Sequence, residues 1–283
     1  MSILLVIAAA LACVIYVIAW SGSLRLSMRP ADPAPVSPGL FGAQGSALLL
    51  GGVISHFISL YAAITPGAEV RFGFAQALSA TMCTGVALLW FEGLSVRVEA
   101  LRIFALPLAA LAALLPIGFA GGDFTGESAR PLFLPHLLVG TLAYGVLMLA
   151  ALHATLMTVA ERALHGPSLP ISPIARWVEQ LPPLLALERI LFRFIGIGFL
   201  LLTLTAISGV MFSEEVFGRP LRFDHKTLFT LISWLIFGAL LVGRRLRGWR
   251  GRTALRLTLA GFLVLLLAYV GTRFVIEVIL QRA

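Results

Sequence analysis

The sequence predicts an all-α, polytopic transmembrane helix bundle of about eight helices, and three observations carry that prediction. Only 12% of the 283 residues are charged while 59% are hydrophobic, roughly half the charge of an ordinary soluble domain. Apolar runs of about 18 to 25 residues, the length that crosses a bilayer, recur along the whole chain. Basic residues concentrate in alternate connections between those runs, as they do beside membrane spans. Residues 1–283 therefore read as a single integral-membrane domain.

Taken in order, the predicted spans are Ile3–Trp20, Ser46–Ile64, Phe74–Trp90, Leu101–Ala120, His136–Val159, Ile190–Phe212, Thr227–Val242 and Leu255–Leu280. The first lacks a basic flank before it and has the length of a full span, so a retained helix is expected rather than a cleaved signal peptide. The fourth contains Pro107 and Pro116, which should kink it or unwind its end. The sixth carries Gly196, Gly198, Thr203, Thr205, Ser208 and Gly209, small or hydroxylated residues that let helices approach closely. Cys13 and Cys83 sit in separate apolar runs without metal or redox spacing and read as small core residues.

Charge sets the expected orientation. The odd-numbered connections hold fourteen basic residues, ending in Arg244, Arg245, Arg247, Arg250, Arg252 and Arg256, against five in the even ones, Arg71, Arg130, Arg219, Arg222 and Lys226. By the positive-inside rule the odd connections face the cytoplasm and both termini face the periplasm of a bacterial inner (plasma) membrane. The net charge of +8 then serves topology and contact with anionic lipid, and no basic, aromatic module for nucleic acid is present. His136 and His225 fall at outer helix ends, and His56 in the outer half of the second span. His153 lies in the inner leaflet, and His165 is given no role.

The stretch FSEEVFGRPLRFDHKTLFTLISW, Phe212–Trp234, concentrates polarity between two apolar spans, where a membrane protein places its chemistry. Three roles are open to its histidines: metal or haem-iron ligand, proton carrier, or hydrogen-bonded structural residue. A haem pocket would need aromatic cover, which Phe212, Phe217, Phe223, Phe229 and Trp234 can supply, and cations for the propionates, which Arg219, Arg222 and Arg273 can supply. Plainer roles compete. Asp224 stands where an N-cap belongs, directly before the seventh helix, Arg273 and Glu277 are spaced i,i+4 as an ion pair, and Glu214 and Glu215 read as solvated loop acids. Gly243–Arg252, GRRLRGWRGR, reads as a cytoplasmic anchor with an interfacial tryptophan. No Walker loop, GxSxG elbow, HExxH or dinucleotide fingerprint occurs.

These residues resemble a known family. IGFLLLTLTAISGVMFSEEVFGRPLRFDHKTLFTLISWLIF and GWRGRTALRLTLAGFLVLLLAYVGTRFV, with PHLLVGTLAYGVLMLAALHA and LPPLLALERILFRF upstream, are similar to the integral-membrane cytochrome c assembly family, the CcsA, CcmC and HemX group, and within it to the smaller YpjD-type branch. The likeness runs over about 135–275. It implies haem held at the periplasmic face, with His136 matching the family's first outer histidine and the loop frame kept at Gly218, Asp224, Lys226 and Trp234. Phe217 and Phe223 stand where the family has tryptophans, and His225 where it has proline. The family's second outer histidine has no counterpart in GTRFVIEVIL, so His225 is the expected partner of His136, with haem iron as the metal.

The sequence thus favours haem handling of the cytochrome c biogenesis type over catalysis by protein side chains, with the lipid bilayer, haem and other membrane or cytochrome c biogenesis proteins as partners. Two alternatives stay open. One is a non-haem accessory subunit of another membrane complex such as an ion transporter. The other is a small transporter whose histidines relay protons or bind a divalent metal, although acids are absent from mid-span and inverted repeats are not evident.

Overall fold

A computed structural model describes residues 2–27, 43–93, 99–165, 181, 183–217 and 224–281. Eight helices long and apolar enough to cross a membrane are present among them. In our numbering these are α1 Ile3–Ser27, α2 Ala43–Ile64, α3 Phe74–Glu92, α4 Glu99–Gly118, α6 Phe133–His165, α7 Leu184–Phe217 and α8 His225–Arg247, followed by α9, which starts as Gly251–Leu266. The last span continues through a π-helical turn at Leu267–Gly271, a short α-helical piece at Thr272–Phe274 and a second π-helical turn at Val275–Ile279. All eight expected spans are therefore found. Residues α6 and α7 add at their ends carry them past a single bilayer crossing, since 33 and 34 residues rise about 50 Å. Glu214 consequently lies in the last turns of α7 and not in a loop.

Two helix groups meet in the core. The α1, α2, α3 and α4 helices pack on one side, and α6 links them to α7 and α9. Small residues set the closest approach: a Cβ placed on Gly145 of α6 would lie 2.7 Å from Thr84 Cγ2 and 3.4 Å from the Gly85 backbone nitrogen on α3. Cys13 and Cys83 are free thiols, the second of them buried.

The prolines of α4 do not break it, because the helix is continuous from Glu99 to Gly118 with both inside. Pro107 has no N–H to give the carbonyl four residues back. That carbonyl, Ile103 O, instead accepts the Trp20 Nε1–H of α1 at 3.1 Å, the compensation by a neighbouring helix that proline needs inside a bilayer. Trp20→Phe is therefore expected to orphan a buried acceptor, with a loss of about 1–3 kcal/mol read as a shift in the sodium dodecyl sulfate midpoint of unfolding.

Alternation of the spans places the start of α3, α6 and α8 and the end of α9 together, at one end of the bundle. That end is stitched by an antiparallel pair, β1 (Arg71–Phe72) with β2 (Gly122–Asp123), in the register Arg71 to Asp123 and Phe72 to Gly122. Gly121 turns the chain into β2 with φ +77, and a Cβ there would meet Gly73 N and Phe72 C at 2.8 Å, so only glycine fits. Asp123 accepts the hydroxyl and backbone N–H of Thr125, bonds that hold its carboxyl below the usual range. The short helix α5, Thr125–Ser128, follows. At the opposite end, ion pairs join helices: Arg193 with Glu92, Arg250 with Glu188 at 3.5 Å and Arg252 with Glu161 at 3.6 Å.

Candidate functional site

At the hairpin end, the first turn of α6 presents His136 to α7. Ser208 Oγ lies 3.1 Å from Thr205 O and 2.9 Å from His136 Nδ1; with its one hydroxyl hydrogen on Thr205 O, it accepts a bond from Nδ1–H. In that tautomer Nε2 carries the free lone pair. A donated second ring N–H is also what orients and strengthens a metal-ligating imidazole. Gly209 keeps the place open, since a Cβ there would approach His136 Cε1 to 3.2 Å.

An aromatic wall leads away from this imidazole. His136 stacks on Phe212 with centroids 6.0 Å apart and planes at 9°. Phe212 meets Phe133 at 6.0 Å, and Phe133 meets Phe124 at 6.4 Å. The Arg273 guanidinium lies over Phe124 at 4.7 Å. An imidazole thus stands at one end of a row of phenyl rings and a guanidinium at the other.

Arg273 is only partly matched. Its side chain is 15% exposed and lies 3.8 Å from Glu277 Oε1, while its buried Nε has no hydrogen-bond partner among the described residues. Glu277 Oε2 accepts the Phe74 N–H at 3.4 Å, placing the carboxylate at the positive end of α3. The π-helical turns on either side bring these residues into position, and the Thr272 hydroxyl reaches back to Leu267 O and Ala268 O at 3.1 Å each. The ion pair expected from i,i+4 spacing is present, and a spare donor remains beside it.

The contacts given for the other described site residues are made elsewhere. His225 is exposed at the first position of α8. Asp224 caps that helix, accepting Thr227 N at 2.9 Å and Thr227 Oγ1 at 3.0 Å, as its position before an apolar helix foretells. Trp234 stacks on Phe199 at 5.5 Å and donates Nε1–H to Thr203 at 2.9 Å, which fixes α8 against α7. His56 is fully buried with both ring nitrogens engaged, Nε2 with Ser79 Oγ at 2.9 Å and Nδ1 with the Tyr16 hydroxyl at 3.3 Å. Arg219, Arg222 and Phe223 lie outside the described residues, as does the side chain of Phe217. Sequence reasoning missed Phe124, Phe133 and the role of Ser208. The pair Phe133 and His136, three residues apart and so on one helix face, was the available signal.

Eight membrane helices, with an imidazole set beside aromatic rings at one end of the bundle, define a multi-pass membrane protein. The chain belongs to the cytochrome c assembly protein family, whose profile matches residues 40–280. It is 32% identical over 176 residues to the inner membrane protein YpjD of Escherichia coli strain K12, a match covering 62% of each chain. It is 35% identical over 115 residues to the cytochrome c biogenesis protein CcsA of Synechocystis sp., covering 41% of this chain and 33% of that one. The matched part is thus about three-fifths of the YpjD protein and one third of CcsA. No solved structure matches the chain. With its eight spans and these relatives, the protein is a multi-pass protein of the bacterial inner membrane.

Proposed function

We propose that this protein binds haem at the hairpin end of its bundle, on the periplasmic side, and handles it in a process of the cytochrome c biogenesis type. The observation that carries the reading is the contact between His136 Nδ1 and Ser208, which holds the ring by one nitrogen and leaves Nε2 available as a ligand. Iron accepts an imidazole on each face, so a second ligand is needed, and His225 at the start of α8 is the candidate. Phe212, Phe133 and Phe124 offer an apolar wall for the macrocycle. The Nε–H of Arg273, without a partner among the described residues, is a donor for a propionate, and Arg219 and Arg222, between α7 and α8 in the sequence, are further candidate cations. His56, closed off between Tyr16 and Ser79, supports the wall by packing α2 against α1 and α3. Bound iron would supply the ligand-exchange centre, and no protein nucleophile enters this scheme.

The test is a reduced-minus-oxidised absorption spectrum of the full chain purified in detergent, followed by titration with hemin. A Soret band with stoichiometric uptake is expected. A colourless preparation that also fails to take up hemin overturns the proposal in favour of a non-haem accessory subunit. Ser208→Ala should keep the ligand but loosen it, weakening hemin affinity about tenfold in the same titration.

A further inference from the structure

Midway through the bundle, between α3, α4, α6 and α9, lies a groove of about 480 Å³ lined by residues such as Met82, Leu111, Met148 and Leu152. It opens sideways, since Leu111 and Leu263 at its edges are 65% and 59% exposed. Its two hydroxyl-bearing residues, Thr81 and Thr155, give their hydrogens to Ala77 O and Ala151 O of their own helices. The lining therefore suits hydrocarbon alone.

One helix links this groove to positive charge. Leu259, Leu263 and Leu266 line it from α9, and Arg252 and Arg256 precede them at the same 4,3,4,3 spacing, so all five fall within an arc of about 80°. Arg252 reaches α6 through its 3.6 Å contact with Glu161, whereas Arg256 is exposed and has no ion-pair partner among the described residues. From Arg256 to Leu266 the helix rises about 15 Å, the hydrocarbon depth of one leaflet, half of about 30 Å. We infer that this face of α9 is a binding site for one anionic phospholipid, its headgroup phosphate on Arg256 and one acyl chain in the groove.

The occupant follows from the combination. A partner helix would not need a guanidinium at one interface depth, and a free phosphate would not fill the apolar groove. The test uses the full chain purified in detergent and stripped of lipid, with dioleoylphosphatidylglycerol and dioleoylphosphatidylcholine as probes of equal chain length, read by native mass spectrometry. One phosphatidylglycerol should be retained about fivefold more tightly than phosphatidylcholine, the preference that one basic side chain near a membrane surface supplies. Arg256→Gln should abolish that preference and leave chain binding. Leu263→Trp, which fills the groove from its exposed edge, should weaken both lipids equally. Equal retention of the two lipids by the unaltered protein, with no response to Arg256→Gln, overturns the site. So does a Leu263→Trp variant that dissociates a dimer and leaves lipid retention untouched.

Discussion

His136→Ala is expected to lower hemin affinity at least a hundredfold while the helices stay intact. The imidazole sits in the first turn of α6, part-exposed, and its removal takes one hydrogen-bond partner from Ser208 and one stacking partner from Phe212. Loss of an axial ligand removes a bond to iron, whereas loss of Ser208 removes only its orientation, so the two variants should be separated by about tenfold or more. Free imidazole added to His136→Gly should restore the Soret band, because the space between Phe212 and Gly209 is preformed. His225→Ala should retain haem and convert a low-spin, two-imidazole spectrum into a high-spin one. An unchanged spectrum in the double alanine variant would remove both histidines from the scheme.

Gly145→Val should destabilise the bundle by about 3 kcal/mol, because overpacking a close helix contact displaces backbone as well as side chain. The first atoms met are those of Thr84, 2.7 and 2.9 Å from the new Cβ, with the Gly85 backbone just behind at 3.4 Å. Thr84 is β-branched and stiff, so it cannot swing aside. Gly145→Ala should cost less, and Thr84→Ala should recover much of that loss, a coupling that a double-mutant cycle measures directly. The loss would reach the site as well, since α3 carries both Ser79, which holds His56, and Phe74, which holds Glu277.

The spans were legible because each is a continuous apolar run whose length a bilayer dictates. Asp224 was legible as a cap, and Arg273 with Glu277 as a pair, because both depend on spacing within one helix. What escaped depends on distance along the chain. Ser208 is 72 residues from His136, and nothing local says that it will orient the ring. The β1 and β2 strands have two residues each, too few for alternation to register. Phe124 and Phe133 lie far from the Phe212–Trp234 stretch in sequence, and only the fold turns them into a wall ending at Arg273. The compensation at Pro107 escaped for a similar reason, because the indole that bonds Ile103 O lies 83 residues before it in the chain.

That indole has a consequence for the order in which the molecule assembles. Within α4 alone, the carbonyl of Ile103 has no donor inside its own helix, and lipid has none to lend. It becomes satisfied only when α1 arrives with Trp20 in register. The first and fourth crossings therefore depend on one another: a misaligned α1 leaves the Ile103 carbonyl without the donor that the folded bundle supplies.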